Sequence, residues 1–253
     1  MIPTVLSIAG LDPSGGAGLA ADLKTATMLD AYGMGVITAV TVQHPGEVLR
    51  SCPIEPDLVR EQIEALLVNM RIDAIKIGML GSSEVARAVF KSLETSEIPI
   101  VLDPIGKSTT GQVLNPIQVR DWTPLLSKAS IVTPNDDEIE SLLCGTKPHD
   151  WVKQTQTALL HTGGGDEPGY LEDVLWLPSG EDQAWRHPVV ETQHTHGTGC
   201  TLSTAIAVGM AQGLDVQQAV AKAIGWTGAL IAQSADGGIV EQNGPLLHFM
   251  NRG

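Results

Sequence analysis

The chain has 253 residues, of which 43% are hydrophobic and 17% charged, with 27 glycines, 4% aromatics and a formal net charge of −14. That length fits one large α/β domain or two small ones. So acidic a surface repels phosphate backbones and argues against a nucleic-acid partner. The three cysteines, Cys52, Cys144 and Cys200, are widely spaced and contain no CxxC, which argues against a disulfide framework or zinc site and for a reducing cytoplasm. No apolar stretch is long enough to span a membrane, and Met1 to Gly10 lacks the basic start and apolar core of a signal peptide.

Apolar runs alternate with helical spacing along the chain. Val5–Ala9 is expected to be a buried strand, followed by a helix with Leu19, Leu23, Ala26 and Leu29 on one face. A strand at Gly35–Val42 and a helix at Pro56–Met70 come next, then a strand at Ala74–Ile77 and a helix at Ser82–Leu93. Further strands are expected at Ile98–Leu102, Ile131–Thr133, Ala158–Leu160 and Val174–Leu177, and a small-residue helix at Leu202–Ala211. Lys107–Gln118 and Gly145–Trp151 look irregular. Strand–helix alternation is the pattern of βαβ units and a mostly parallel sheet, so residues 1–253 are expected to form one doubly wound α/β domain.

Ligands of such sheets sit beyond the carboxyl ends of the strands. The Gly-rich and polar clusters fall there: Gly10–Gly18, Gln43-His44, Gly78-Met79, Asp103-Pro104 and Asn135–Glu138. Polar loops at strand ends are also what any fold of this class has. The chain contains no P-loop, no G-x-G-x-x-G, no H-E-x-x-H and no G-x-S-x-G.

His196-Gly197-Thr198-Gly199-Cys200-Thr201 precedes the small-residue helix. Its glycines let successive N–H groups converge at a helix start, an arrangement suited to a transferring phosphoryl group. Cys200 at that position is expected to have a lowered pKa, which would let a thiolate take a proton from a substrate hydroxyl. A Gly-rich turn with an inert buried cysteine fits the same residues.

This turn resembles the anion hole of the ribokinase-like superfamily, and a cysteine at its end resembles the vitamin-kinase branch. The opening Ala9-Gly10-Leu11-Asp12-Pro13-Ser14-Gly15-Gly16-Ala17-Gly18, with Ala21-Asp22-Leu23-Lys24, is similar to the signature of hydroxymethylpyrimidine/phosphomethylpyrimidine kinases. Lys76-Ile77-Gly78-Met79-Leu80, Leu102-Asp103-Pro104 and Thr133-Pro134-Asn135 match in order, so the resemblance covers nearly the whole chain.

The resemblance implies a three-layer α/β/α kinase that uses ATP and Mg²⁺ and works as a cytoplasmic homodimer. Its substrates would be 4-amino-5-hydroxymethyl-2-methylpyrimidine and its monophosphate in thiamine biosynthesis. Gly197, Thr198, Gly199 and Cys200 would be the catalytic turn; Ala17, Asp22, Gln43, Met79 and Ile105 would meet the pyrimidine. Asn135, Thr162 and Gly164 would meet the nucleotide, and Asp103 and Glu138 the metal's water shell. A Gln carboxamide pairs well with an aminopyrimidine edge, though a solvent-facing loop Gln fits Gln43 too. Asn135 with Asp136, Asp137 and Glu138 also has the form of an N-cap and acidic first turn.

Three features depart from the family pattern. Thr162-Gly163-Gly164-Gly165 stands where many members have Lys-Gly-Gly-His, Gly106-Lys107-Ser108 replaces a more apolar run, and His44 follows Gln43. The Cys144–Thr162 segment is short. Pyridoxal kinase of the same fold, or a pyrimidine-sensing module without turnover, are the alternative functions.

Overall fold

The computed structural model describes residues 1–106, 119–165, 167–237 and 239–250. The irregular segment expected at Lys107–Gln118, including Lys107 and Ser108, lies outside the described residues. The described strands form one nine-stranded sheet in the order β3-β2-β1-β4-β5-β6-β7-β8-β9. Its centre is parallel: β1 (Thr4–Leu11), β2 (Tyr32–His44), β4 (Ala74–Ile77), β5 (Ile100–Leu102), β6 (Ile131–Val132) and β7 (Ala158–Gly164). Antiparallel strands flank it: β3 (Glu47–Pro53) on one edge, β8 (Tyr170–Trp176) and β9 (Asp182–Pro188) on the other.

The central strands are short apolar runs because helices cover both faces. On one face β1, β4 and β5 pack Leu6, Ile8, Ile75, Ile77, Ile100 and Leu102 under α2 (Pro56–Asn69), α3 (Ser83–Leu93), α4 (Val119–Leu126) and α6 (Pro148–Thr155). On the other, Val5, Ala74, Val101, Ile131 and Leu160 meet α1 (Gly18–Met28), α7 (Thr198–Ala211) and α8 (Val216–Ser234). This is the three-layer α/β/α arrangement that the resemblance implied. Glycine and alanine bring α7 and α8 close; a Cβ on Gly209 would lie 2.9 Å from that of Ala219.

Several expected boundaries shift. β2 is longer than Gly35–Val42 because it continues into a hairpin with β3, a largely exposed strand with no buried apolar run to mark it. The irregular reading of Gly145–Trp151 is corrected in part: Pro148 at the first helical position starts α6 inside it. α7 begins at Thr198 rather than Leu202. α5 (Asp136–Leu143) opens with the expected cap, in which Asn135 and Glu138 form a reciprocal capping box.

The strand order places β1 between β2, which follows it, and β4. Connections leave β1 to one side and β4 to the other, so a crevice opens beyond their carboxyl ends. The Gly-rich loop after β1 and Met79 after β4 flank that crevice.

Candidate functional site

The loop after β1 is gathered around one carboxylate. Asp12 accepts hydrogen bonds from Ser14 N (2.8 Å), Ser14 Oγ (2.7 and 2.9 Å), Gly16 N (3.2 Å) and Ala17 N (2.9 Å). His196 Nε2 lies 2.9 Å from the same carboxylate. Burial works against its ionisation, but hydrogen bonds from His196, Gln43 and Ser14 win and hold Asp12 well below the usual carboxylate range. Ala17 caps α1 and is half-buried at the loop's end.

The turn before α7 meets this loop at backbone level. Gly197 has φ +85°, and a Cβ there would strike the carbonyl oxygen of Gly16. No other residue type fits that approach. The first intrahelical bond of α7 runs from Thr201 N to Gly197 O, so the N–H groups of Gly199 and Cys200 lie above it at the positive end of the helix. Thr198 turns back, its N and Oγ both bonded to Thr195 O. A Cβ on Gly199 would touch nothing within 4 Å, which marks the open side of the turn.

Cys200 sits beneath this turn, 7% exposed. Here the structure corrects the expected low pKa. Burial pushes the thiol up to about 12; Lys76 pulls it down, but Asp103 and Asp22 oppose that pull. The helix start alone does not outweigh removal from water. The Gly18 backbone at the start of α1 is a smaller influence in the lowering direction.

Below the cysteine lies a lysine to which sequence reasoning gave no role. Lys76, in β4, is fully buried with Nζ 3.0 Å from each Asp22 oxygen and 3.9 Å from Asp103 Oδ2. Burial lowers its proton affinity, but Asp22, Cys200 and Asp103 raise it further, so it remains a cation. Asp22 also accepts from Ser7 Oγ (2.5 Å) and Thr204 Oγ1 (2.8 Å). Its side chain has no exposed surface. The expected pyrimidine contact at Asp22 is therefore corrected: its carboxylate is committed to the network under the site. The available signal for Lys76 was a charged residue inside a four-residue apolar strand, which demands a buried partner.

Asp103 directly follows β5 and accepts from Ser203 Oγ at 3.1 Å. Burial raises it, Lys76 lowers it and Asp22 raises it again, leaving it at about 6. Glu138 is pushed up to about 7 by burial and by the Asp103 charge, although Asn135 N (3.1 Å) and Gly106 N (3.2 Å) donate to it. Two carboxylates that share a site and resist ionisation are a donor set that a hard divalent cation would satisfy, with waters completing the shell. Among the described residues no group of three or more His, Cys, Asp or Glu gathers as a metal site.

The other expected contacts lie around the same crevice. Gln43 is half-buried at the end of β2, where its side chain helps keep Asp12 ionised. Met79 is buried, with its carbonyl accepting from Thr38 Oγ1 (2.6 Å) and its sulfur over Gly10. Ile105 follows Asp103, half-buried. On the nucleotide side, Thr162 N bonds to Pro134 O at 3.0 Å, which ties β7 to the start of α5 beside Asn135. Gly164 is buried against His161 and Glu172, while Gly163 and Gly165 are exposed and the Gly163 N–H is held by Asp173 at 2.8 Å.

Known proteins resemble this chain in sequence and fold. A family model described as phosphomethylpyrimidine kinase matches residues 12–246. The hydroxymethylpyrimidine/phosphomethylpyrimidine kinase of Streptomyces coelicolor is 37% identical over 259 residues, covering 97% of this chain and 94% of that one. The phosphomethylpyrimidine kinase structure from Clostridium difficile superposes with a TM-score of 0.78 at 29% identity, covering 90% of this chain and 99% of its own. The ADP complex of Staphylococcus aureus pyridoxal kinase superposes with a TM-score of 0.84 at 29% identity, covering 100% and 96%.

Proposed function

The chain belongs to the phosphomethylpyrimidine kinase family, and we infer that it phosphorylates 4-amino-5-hydroxymethyl-2-methylpyrimidine and then its monophosphate, giving the diphosphate used in thiamine biosynthesis. The observation that carries this reading is the meeting of the Asp12–Ala17 loop with the Gly197–Cys200 turn over Lys76.

In the first step the hydroxymethyl oxygen attacks the γ-phosphorus of ATP. A new P–O bond forms, the bond to the ADP oxygen breaks and the hydroxyl proton leaves. The Gly199 and Cys200 N–H groups face the transferring phosphoryl oxygens, where charge spreads in the transition state. Cys200 lies where it meets the hydroxyl proton. Its resting thiol is already protonated, so it acts as base only as the thiolate, after its own proton has left to solvent, and the Lys76 charge favours that form. In the second step the nucleophile is already an anionic phosphate and needs no base. Ala17, Gln43, Met79 and Ile105 hold the ring, with the Gln43 carboxamide facing the amino edge.

On the nucleotide side, Asn135, Thr162 and the glycines after it border the phosphates; the Thr162 hydroxyl supplies a neutral donor where relatives' pattern has a lysine. Asp103 and Glu138 would hold Mg²⁺ through water, and the cation would neutralise charge on the phosphoryl group being transferred.

The continuous sheet among the described residues supports treating residues 1–253 as one kinase domain, and a cytoplasmic location is part of the proposal. A homodimer through the β2–β3 edge is part of the proposal. Val40, Val42 and Leu49 are exposed there, and an apolar edge invites pairing.

The test is ADP release with Mg·ATP and four acceptors in parallel: the hydroxymethylpyrimidine, its monophosphate, pyridoxal and hydroxyethylthiazole. Turnover with the first two supports the reading. Turnover with pyridoxal alone would replace the substrate, as the likeness to pyridoxal kinase invites. Silence from protein that still binds the pyrimidine would favour a sensor.

A further inference from the structure

We infer that Asp12 and His196 are positioning residues, a brace that fixes the gap between the loop holding the acceptor and the turn holding the phosphoryl group. The inference rests on the kinase reading for its catalytic consequence, though the brace itself is a matter of geometry.

The two residues are 184 positions apart in sequence and both are buried, at 3% and 8% exposure. Asp12 is the one acceptor that the loop's own N–H groups at Ser14, Gly16 and Ala17 share, so its position sets the loop's shape. His196 is the residue immediately before Gly197. Its backbone N donates to Gly244 O at 3.1 Å, and it forms a parallel bridge with Pro245. A Cβ on Gly16 would strike the His196 ring and lie 2.8 Å from Pro245 Cβ. Loop, turn and C-terminal segment therefore meet at a single joint with no slack.

Two polar groups buried against each other are costly to desolvate, and an apolar pair of the same size would fill the space as well. What the hydrogen bond adds is a fixed direction and distance. Transfer requires attacking oxygen and phosphorus within about 3–3.5 Å, and a misplacement of about 1 Å costs about a hundredfold in rate. Neither side chain needs to touch substrate to act in this way.

The experiment compares His196→Leu, which removes the donor, with His196→Gln, whose amide nitrogen can replace Nε2. Amide hydrogen exchange is read over residues 14–17, and steady-state kinetics with the hydroxymethylpyrimidine are measured alongside pyrimidine-binding stoichiometry by calorimetry. The brace predicts faster exchange at Gly16 and Ala17 in His196→Leu. It also predicts a kcat lower by about a hundredfold with KM values within about threefold. Full binding stoichiometry is expected, as is recovery of most of the loss in His196→Gln. Unchanged exchange at residues 14–17 overturns the brace whether or not the chain is a kinase. A kcat loss matched by an equal loss of binding sites overturns it too, by reducing His196 to a folding role. An inactive wild-type protein with the exchange effect present would instead overturn the kinase reading and leave the brace standing.

Discussion

The ammonium of Lys76 lies 3.0 Å from both carboxylate oxygens of Asp22, and neither side chain reaches solvent. This pair joins β4 to α1 directly beneath Cys200 and ties in Asp103 and Thr204 from two further elements. A buried cation serving two carboxylates and a thiol makes the floor of the site an electrostatic unit.

Lys76→Met removes the cation and leaves Asp22 and Asp103 buried without it. The expected loss is about 3–5 kcal/mol, the usual result of breaking a buried pair from one side. Because the folded-state pKa of Lys76 is raised, its contribution is fully present below the unfolded lysine value and is lost only as pH rises through the folded one. Without that cation Asp22 and Asp103 hold their protons to higher pH, so the mutant loses more stability than the wild type as pH rises and the deficit should grow between about pH 6 and 9. Urea unfolding at those pH values measures it, and a deficit that stays flat or shrinks across that window contradicts the assignment.

Cys200→Ala should slow phosphorylation of the hydroxymethyl group more than phosphorylation of the monophosphate, because only the first nucleophile carries a proton to lose. Step-resolved assays decide this, and equal losses refute the division of labour. In the wild type, iodoacetamide should modify exposed Cys52 and Cys144 well before buried Cys200, whose thiol stays protonated at neutral pH. Peptide mass spectrometry gives the order.

Asp103 and Glu138 have raised pKa values, about 6 and about 7. Such groups contribute stability that is fully present below their unfolded values and lost as pH rises through the folded ones. Thermal stability should thus fall from pH 5 to pH 8, Mg²⁺ should restore part of it at pH 8, and Asp103→Asn should flatten the pH dependence and abolish the Mg²⁺ effect. A Tm at pH 8 unmoved by Mg²⁺ removes these residues from the metal account.

Gln43→Leu should raise KM for the pyrimidine by about tenfold or more, since a pocket built to bond a polar edge loses its partner. Any turnover of pyridoxal should suffer far less. Parallel kinetics with both acceptors measure the difference, and an unchanged pyrimidine rate discards the contact.

Much of this was legible in the sequence where local pattern and tertiary demand agree. Ala74–Ile77 is a strand as expected because four buried residues bounded by Asp73 and Gly78 permit little else. The N-x-x-E at Asn135–Glu138 is a cap because its donors and acceptors are local. β3 and β9 escaped notice because both are largely exposed strands without a buried apolar run, defined by their partners more than by their own sequences. α8 was missed although Asp215 and Gln218 form a capping box at its start. The depressed pKa expected at Cys200 failed for a different reason. Helix position is visible in a sequence, whereas burial beside Asp103 and Asp22 is not. The Asp12–His196 contact spans 184 residues and has no local signature at all.

The most direct test of the central claim is a phosphorus-31 time course of the wild-type protein with Mg·ATP and the hydroxymethylpyrimidine. The account predicts a monophosphate ester signal that rises and then falls as a pyrimidine diphosphate pair grows, with ADP appearing at both stages. An ATP signal that persists unchanged beside folded, pyrimidine-bound protein would contradict it.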